Sequence, residues 1–192
     1  DLLYFAAGSL DAPGAMFTAS HNPAQYNGIK FCLSGARPVG VDSGLNDIRE
    51  VAMRELAQPS ASVASRGQLS QRNLLDAFAD HVVSFVDQDQ LIPLKVVADT
   101  ANGMGGLVVP AVCERLPQLQ LEVMFGELDG TFPNHPADPI QPANQKDLQA
   151  RVLSGGFDVG LAFDGDADRV FVVDEKGIGL SGSTTTALLA AA

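Results

Sequence analysis

Hydrophobic residues along this chain come in short blocks whose spacing switches repeatedly between helical and strand-like periods. Leu2 to Leu10 is apolar and short, and predicts a helix end stopped by Pro13-Gly14. Ala15-Met16-Phe17-Thr18 predicts a buried strand and Gly28-Ile29-Lys30-Phe31-Cys32-Leu33 a second, with a polar, turn-forming stretch between them. Leu45, Ile48, Ala52 and Leu56 recur at helical spacing, which predicts an amphipathic helix over 44–57. Residues 58–72 are small, polar and aperiodic, the best linker candidate. Asn73 suits the cap of a helix whose face is Leu74, Phe78, Val82 and Phe85. After Pro93 the pattern predicts a strand at 94–98, a turn at 101–103, a helix over 105–116, a strand at 119–125 and a helix over 144–154. Two further strands, 157–163 and 170–173, are joined by an acidic loop. Strands alternating with helices of this length predict an α/β layer architecture.

Composition narrows the class. The 192 residues are 46% apolar, with 6% aromatics and no Trp, which predicts an aliphatic globular core and excludes a disordered chain. No window approaches 18 consecutive uncharged apolar residues, so no membrane span or membrane partner is expected. The chain opens Asp1-Leu2-Leu3 without Met or a basic segment, so no signal peptide is visible and a cytoplasmic setting is expected. Because it begins and stops inside apolar helical patterns, a piece of a longer protein is expected. Twelve Lys and Arg against 23 Asp and Glu leave a net charge of −11, which repels phosphate backbones and argues against nucleic acid as a partner. A small phosphorylated ligand is still compatible with that charge, because local cations and metals decide its binding. Cys32 and Cys113 lie among apolar residues without CxxC spacing, as two buried thiols of a reducing compartment would.

Asp164-Gly165-Asp166-Ala167-Asp168-Arg169 is the most informative stretch. Three carboxylates at alternate positions repel one another, and a hard divalent cation compensates them well. Gly165 and Ala167 are small enough for the loop to curl round one ion. A calcium-binding, non-catalytic α/β module is one reading: Asp164, Asp166 and Asp168 would be positions 1, 3 and 5 of an EF-hand loop and Glu175 position 12. Position 6, however, is Arg169 where that motif requires Gly. An adjacent Arg suits a site in which a metal and a guanidinium together hold phosphate oxygens. A solvated acidic turn is the bland alternative.

Thr18-Ala19-Ser20-His21-Asn22-Pro23 follows a strand, and a serine displayed there can act as a nucleophile or covalent phosphate carrier. Side chains of neighbouring residues diverge, so His21 need not be the base for Ser20. Lys30, two residues into the next strand, could return to the same site. His81 reads as a solvated helix histidine. His135, in the Pro-rich loop 132–142, reads as a turn histidine ahead of a ligand-binding one, and Asn102-Gly103 as a tight turn.

Those two loops, with Tyr26-Asn27-Gly28-Ile29-Lys30, closely resemble the signature loops of the α-D-phosphohexomutases, in the phosphomannomutase/phosphoglucomutase branch. Asp99 to Gly106 and Phe132-Pro133-Asn134-His135-Pro136 resemble segments of the family's second domain. The resemblance implies mixed sheets layered with helices in phosphoglucomutase-like domains. It divides the chain into part of domain 1 at 1–69, domain 2 at 70–182 and the start of domain 3 at 183–192. It implies exchange of hexose 6-phosphate and hexose 1-phosphate, of mannose or glucose, through a hexose 1,6-bisphosphate. Ser20 would carry the phosphoryl group, and Ser20, Asp164, Asp166 and Asp168 would hold Mg²⁺. Arg169 would neutralise the travelling group, Lys30 would be the general acid/base, and His21 would shape the loop by hydrogen bonds or join the catalytic residues directly. The family's sugar-recognition and phosphate-clamping loops are not in this sequence, so the fragment alone is expected to be inactive.

Overall fold

The computed structural model describes residues 1–57 and 67–191, so most of the expected linker lies outside the described residues. Among the described residues, helices and strands run in the order α1 (Leu2–Ser9), β1 (Gly14–Phe17), β2 (Ile29–Leu33), β3 (Arg37–Pro38), α2 (Leu45–Ala57), α3 (Leu75–Val83), β4 (Leu94–Asp99), α4 (Gly105–Cys113), β5 (Leu119–Met124), α5 (Lys146–Gly155), β6 (Val159–Phe163), β7 (Val170–Asp174) and α6 (Gly182–Ala191). They form two compact units. The larger comprises Asp1, Phe17–Ile29 and the chain from Leu75 onward, and the smaller Leu2–Met16 and the stretch from Lys30 to Leu74. The loop bearing Ser20 therefore folds with the acidic loop, although 144 residues separate Ser20 from Asp164.

The larger unit is built on a four-stranded sheet of order β5-β4-β6-β7. β4 pairs in parallel with β5 on one side and β6 on the other, and β7 closes the edge antiparallel to β6. The mixed sheet has a direct cause. α4 and α5 each carry the chain back along the sheet to start a parallel strand, whereas the loop after β6 is too short for anything but a hairpin return. Because the chain leaves β4 to one side and then crosses to the other, right-handed crossovers put α4 and α5 on opposite faces. Burial agrees: Val97 faces one way, Val96 and Ala98 the other, and all three are buried. On the α5 face, Leu148 and Val152 pack against Val97, Ala162 and Val173, with Met124, Phe157 and Phe171 at the margin. α3 lies against α4, where Arg115, just past the end of α4, bonds both Asp76 and Asp80.

The smaller unit holds a three-stranded sheet, β1-β2-β3, with Cys32 buried in it. Its two-residue strand β3 pairs antiparallel with β2 and has no hydrophobic signature to betray it. α2 forms where its apolar spacing predicts, yet none of its residues is buried, and Leu56 is 83% exposed. α3 likewise starts later than expected and buries Phe78, Ala79 and Val83, leaving Phe85 exposed after the helix has ended. α4 ends at Cys113, three residues short of the expected end. Both cysteines are free thiols, Cys32 buried and Cys113 half-buried. Among the described residues no helix is long and apolar enough to cross a membrane.

The α5 seam sets the stability of the larger unit. Leu148→Ala should lower the unfolding free energy by about 2–5 kcal/mol in urea denaturation, because it empties fully buried space. Leu56→Ala, on an exposed face, should stay within about 0.5 kcal/mol of the unmodified chain.

Candidate active site

The acidic loop joins β6 to β7 at the carboxyl ends of the parallel strands, next to the turn that follows β4. That is where an open α/β sheet leaves a crevice for ligands, since β5 and β6 diverge on either side of β4. The loop is drawn tight by its own first residue. Asp164 Oδ1 accepts from the backbone N–H groups of Asp168 and Arg169, both at 3.1 Å. The Ala167 N–H donates to the Asp164 carbonyl at 3.1 Å, and Ala167 takes a left-handed φ of 58° to allow it. A small side chain suits that bend. Oxygens of Asp164, Asp166 and Asp168 all lie within 4.8 Å of one another, Asp164 and Asp166 buried and Asp168 exposed.

The serine loop is held at its base by the Thr18 N–H donating to the Gly28 carbonyl at 3.0 Å. Ser20 sits at the bend with φ 55°, a conformation that costs a non-glycine residue about 1–3 kcal/mol and is kept only where surroundings impose it. Two bonds do so here. The Ser20 N–H donates to Thr18 Oγ1 at 2.8 Å, and Thr18 Oγ1 donates to Asp166 Oδ2 at 3.1 Å. The Ser20 hydroxyl then donates to Asp164 Oδ2 at 3.1 Å and accepts from Arg169 Nη2 at 2.7 Å. Arg169 also bonds Asp164 Oδ2 through Nε at 2.9 Å. Its Nη2 donates to His21 Nδ1, since a guanidinium has no acceptor to offer.

Ser20, His21, Asp164, Asp166, Asp168 and Arg169 are thus brought together in one unit. Lys30 lies half-buried in β2, in the smaller unit. His21 meets Arg169 through Nδ1. Two residues play parts that the sequence reading did not assign. Thr18 ties the two loops through Asp166, with only its place two residues before Ser20 as a hint. Gly165 packs its bare Cα against the serine loop: a Cβ there would stand 2.4 Å from the Ser20 carbonyl oxygen. Gly165 is therefore required by close approach, beyond its expected part in keeping the loop small.

Electrostatics give the site its character. Burial, and then the nearby charges of Asp166 and Asp168, push the Asp164 carboxyl above the usual range, while backbone donors and Arg169 pull the other way. An oxygen-rich, partly desolvated cluster of three carboxylates with one guanidinium fits a hard divalent cation. The calcium-loop reading does not fit. Val170–Asp174 is a strand, so Glu175 lies about 16 Å along from the loop and cannot close a twelve-residue cage.

The chain has many relatives. The family described as phosphoglucomutase/phosphomannomutase, alpha/beta/alpha domain I, matches residues 1–58, and that described as alpha/beta/alpha domain II matches residues 76–177. A phosphomannomutase of Salmonella montevideo is 41% identical over 99% of this chain and 42% of its own length. "Phosphohexose mutases" of Xanthomonas campestris pv. campestris is 37% identical over 99% of this chain and likewise 42% of its own. A crystal structure of a phosphoglucomutase/phosphomannomutase family protein from Burkholderia thailandensis superposes with a TM-score of 0.75 at 30% identity, over 93% of this chain and 37% of that one. A crystal structure from Thermus thermophilus covers 98% of this chain and 43% of its own, with a TM-score of 0.79 and 28% identity. The chain spans less than half the length of these relatives, and the two matched family models together take in most of it: it belongs to the phosphoglucomutase/phosphomannomutase family.

Proposed function

We propose that this chain is the phosphoserine- and metal-binding portion of a phosphohexomutase that interconverts hexose 6-phosphate and hexose 1-phosphate, of mannose or glucose. The observation that carries the reading is the Ser20 hydroxyl, held between a buried carboxylate and a guanidinium at 3.1 and 2.7 Å. The matched families and the phosphomannomutase relatives support the substrate class. In this reading 1–69 belongs to domain 1, 70–182 to domain 2 and 183–192 to domain 3, in a cytoplasmic enzyme. Sugar recognition then falls to parts of the protein outside this sequence, and the chain alone is inactive.

Phosphoryl transfer needs positioning and charge neutralisation more than covalent assistance. Ser20 carries the phosphoryl group at Oγ. In the forward half-reaction a bond forms from the free sugar hydroxyl to phosphorus as the P–Oγ bond breaks, and Lys30 takes the sugar proton and delivers it to the departing Ser20 Oγ. In the second half Ser20 Oγ attacks the other phosphoryl group of the hexose 1,6-bisphosphate, and its proton passes through Lys30 to the sugar oxygen that is released. Arg169 stays beside the transferring group and offsets its charge, with His21 Nδ1 fixing the guanidinium. Asp164, Asp166, Asp168 and the phosphorylated Ser20 would hold Mg²⁺, which supplies electrostatic stabilisation of the phosphoryl oxygens.

Turnover, covalent state and metal response each test this reading. In the full-length enzyme Ser20→Ala abolishes measurable turnover, because alanine has no oxygen to carry the group, while Lys30→Ala lowers kcat by roughly 10²–10⁴. Steady-state assays with hexose 1-phosphate and a trace of bisphosphate check both, and near-normal turnover in Ser20→Ala removes the phosphoserine reading. Intact-mass spectrometry should find a species ~80 Da heavier that maps to Ser20. For the metal, Asp166→Asn should unfold at or above the unmodified temperature without metal, since it removes a charge that repels Asp164. The same variant should lose the rise in midpoint that Mg²⁺ gives the unmodified chain.

A further inference from the structure

Behind the acidic loop lies a second polar assembly that the proposed chemistry does not use. The turn after β4 carries two successive left-handed residues, Ala101 at φ 48° and Asn102 at φ 59°. Every polar group of Asn102 is engaged. Its N–H donates to the Phe125 carbonyl at 2.8 Å, and its carbonyl accepts from the Asp129 N–H at 2.9 Å. Its amide donates to the Glu127 carbonyl at 2.9 Å, and its side-chain oxygen accepts from Asn134 Nδ2 at 2.7 Å. Asp99 Oδ1 accepts from the Ala101 N–H at 3.0 Å and locks the start of the turn. Asp99 Oδ2 meets His135 Nε2 at 2.9 Å, and His135 Nδ1 meets the Pro136 carbonyl at 2.9 Å.

A carbonyl oxygen only accepts, so Nδ1 must carry a proton. Nε2 faces Asp99 Oδ2 at 2.9 Å, and with a proton there as well the ring is an imidazolium that serves both acceptors. Asp99 is almost fully buried and His135 mostly so, with the Phe125 ring edge-on at 5.3 Å between centroids. The turn held in this way abuts the acidic loop with no side chain between them. A Cβ on Gly103 would stand 2.6 Å from the Gly165 carbonyl oxygen, and the Met104 N–H donates to that same oxygen at 2.9 Å. On its other side Gly165 touches the Ser20 carbonyl. Turn, acidic loop and serine loop are stacked backbone on backbone.

We propose that His135, as an imidazolium paired with Asp99, is a positioning residue that fixes the Ala101–Gly103 turn as the platform setting the place of Gly165, and through it the carboxylates of Asp164 and Asp166. The inference rests on the reading of the acidic loop as a metal site. Its electrostatics are consistent: the Asp99 hydrogen bond, outweighing burial, raises the His135 ring above its ordinary value, with Asp147 of α5 the other charge acting on it. A raised histidine stabilises the fold fully below its unfolded value near 6.5 and loses that contribution as pH climbs through the raised folded value. The gap in unfolding midpoint between the unmodified chain and His135→Gln should therefore narrow from pH 6 to pH 9.

The decisive experiment titrates Mg²⁺ into the ¹⁵N-labelled chain and follows the amide shifts of residues 164–169, with the spectra themselves reporting that each variant is folded. His135→Gln and Gly103→Ala should each raise the Mg²⁺ dissociation constant about tenfold, the scale of supporting shells around metal ligands, while His81→Gln on the exposed end of α3 leaves it unchanged. Ring ¹⁵N shifts at pH 7 should show both His135 nitrogens protonated. A folded His135→Gln that binds Mg²⁺ as the unmodified chain does overturns the inference and leaves the metal reading intact. An unprotonated His135 nitrogen at pH 7 also overturns it. Failure of the unmodified chain to bind Mg²⁺ at all overturns the metal reading, and the inference with it.

Discussion

The site depends on one buried carboxylate. Asp164 takes two backbone N–H donors on Oδ1, and on Oδ2 the Ser20 hydroxyl and the Arg169 guanidinium. Its first oxygen shapes its own loop and its second binds a loop from the other end of the sequence. Burial makes such a charge costly, and the raised titration of Asp164 records that cost. Four hydrogen bonds, one of them from a guanidinium, offset much of it. Removing any one partner would leave a desolvated carboxylate short of compensation, so the two loops are coupled through this residue.

The fold exists to deliver that residue to that place. β4, β5 and β6 are parallel, so their carboxyl ends share one edge, and both glycine-to-backbone contacts lie along it. Side chains would have forced the three loops apart by the width of a methyl group or more. With none present, the backbone of Gly165 lies at little more than contact distance from the Ser20 carbonyl. Four residues of the three loops bear a positive φ, Ser20, Ala101, Asn102 and Ala167, and each is held by a hydrogen bond. Strain of this kind is a common way of presenting one reactive atom at a fixed angle.

Much of this was legible in the sequence. Period-two and period-3.6 blocks marked β4 to β7, α5 and the hairpin with the acidic loop at its tip. Alternate aspartates with an adjacent arginine pointed to clustered carboxylates beside a guanidinium, which the acidic loop forms. What stayed hidden depends on contacts distant in sequence. Nothing local to Thr18 reveals Asp166, and nothing local to Gly103 reveals Gly165, because each contact spans the fold. α2 misleads in the opposite sense: Leu45, Ile48, Ala52 and Leu56 are spaced for a buried stripe, yet none is buried. Periodicity reports that a helix has an apolar face, not what covers it. His135 looked like a turn histidine, and its partner Asp99 ends a strand 36 residues earlier in a separate segment, so their pairing had no local signal.

The central claim is that the serine loop and the acidic loop form one cation site. Paramagnetic broadening tests it most directly. Mn²⁺ added in substoichiometric amounts to the ¹⁵N-labelled chain should erase the amide resonances of Thr18, Ser20 and His21 together with those of Asp164 to Arg169, at the same concentration. The resonance of Leu94, at the opposite end of β4 in the same unit, should persist. Broadening confined to residues 164–169, with Ser20 and His21 untouched, would contradict the account.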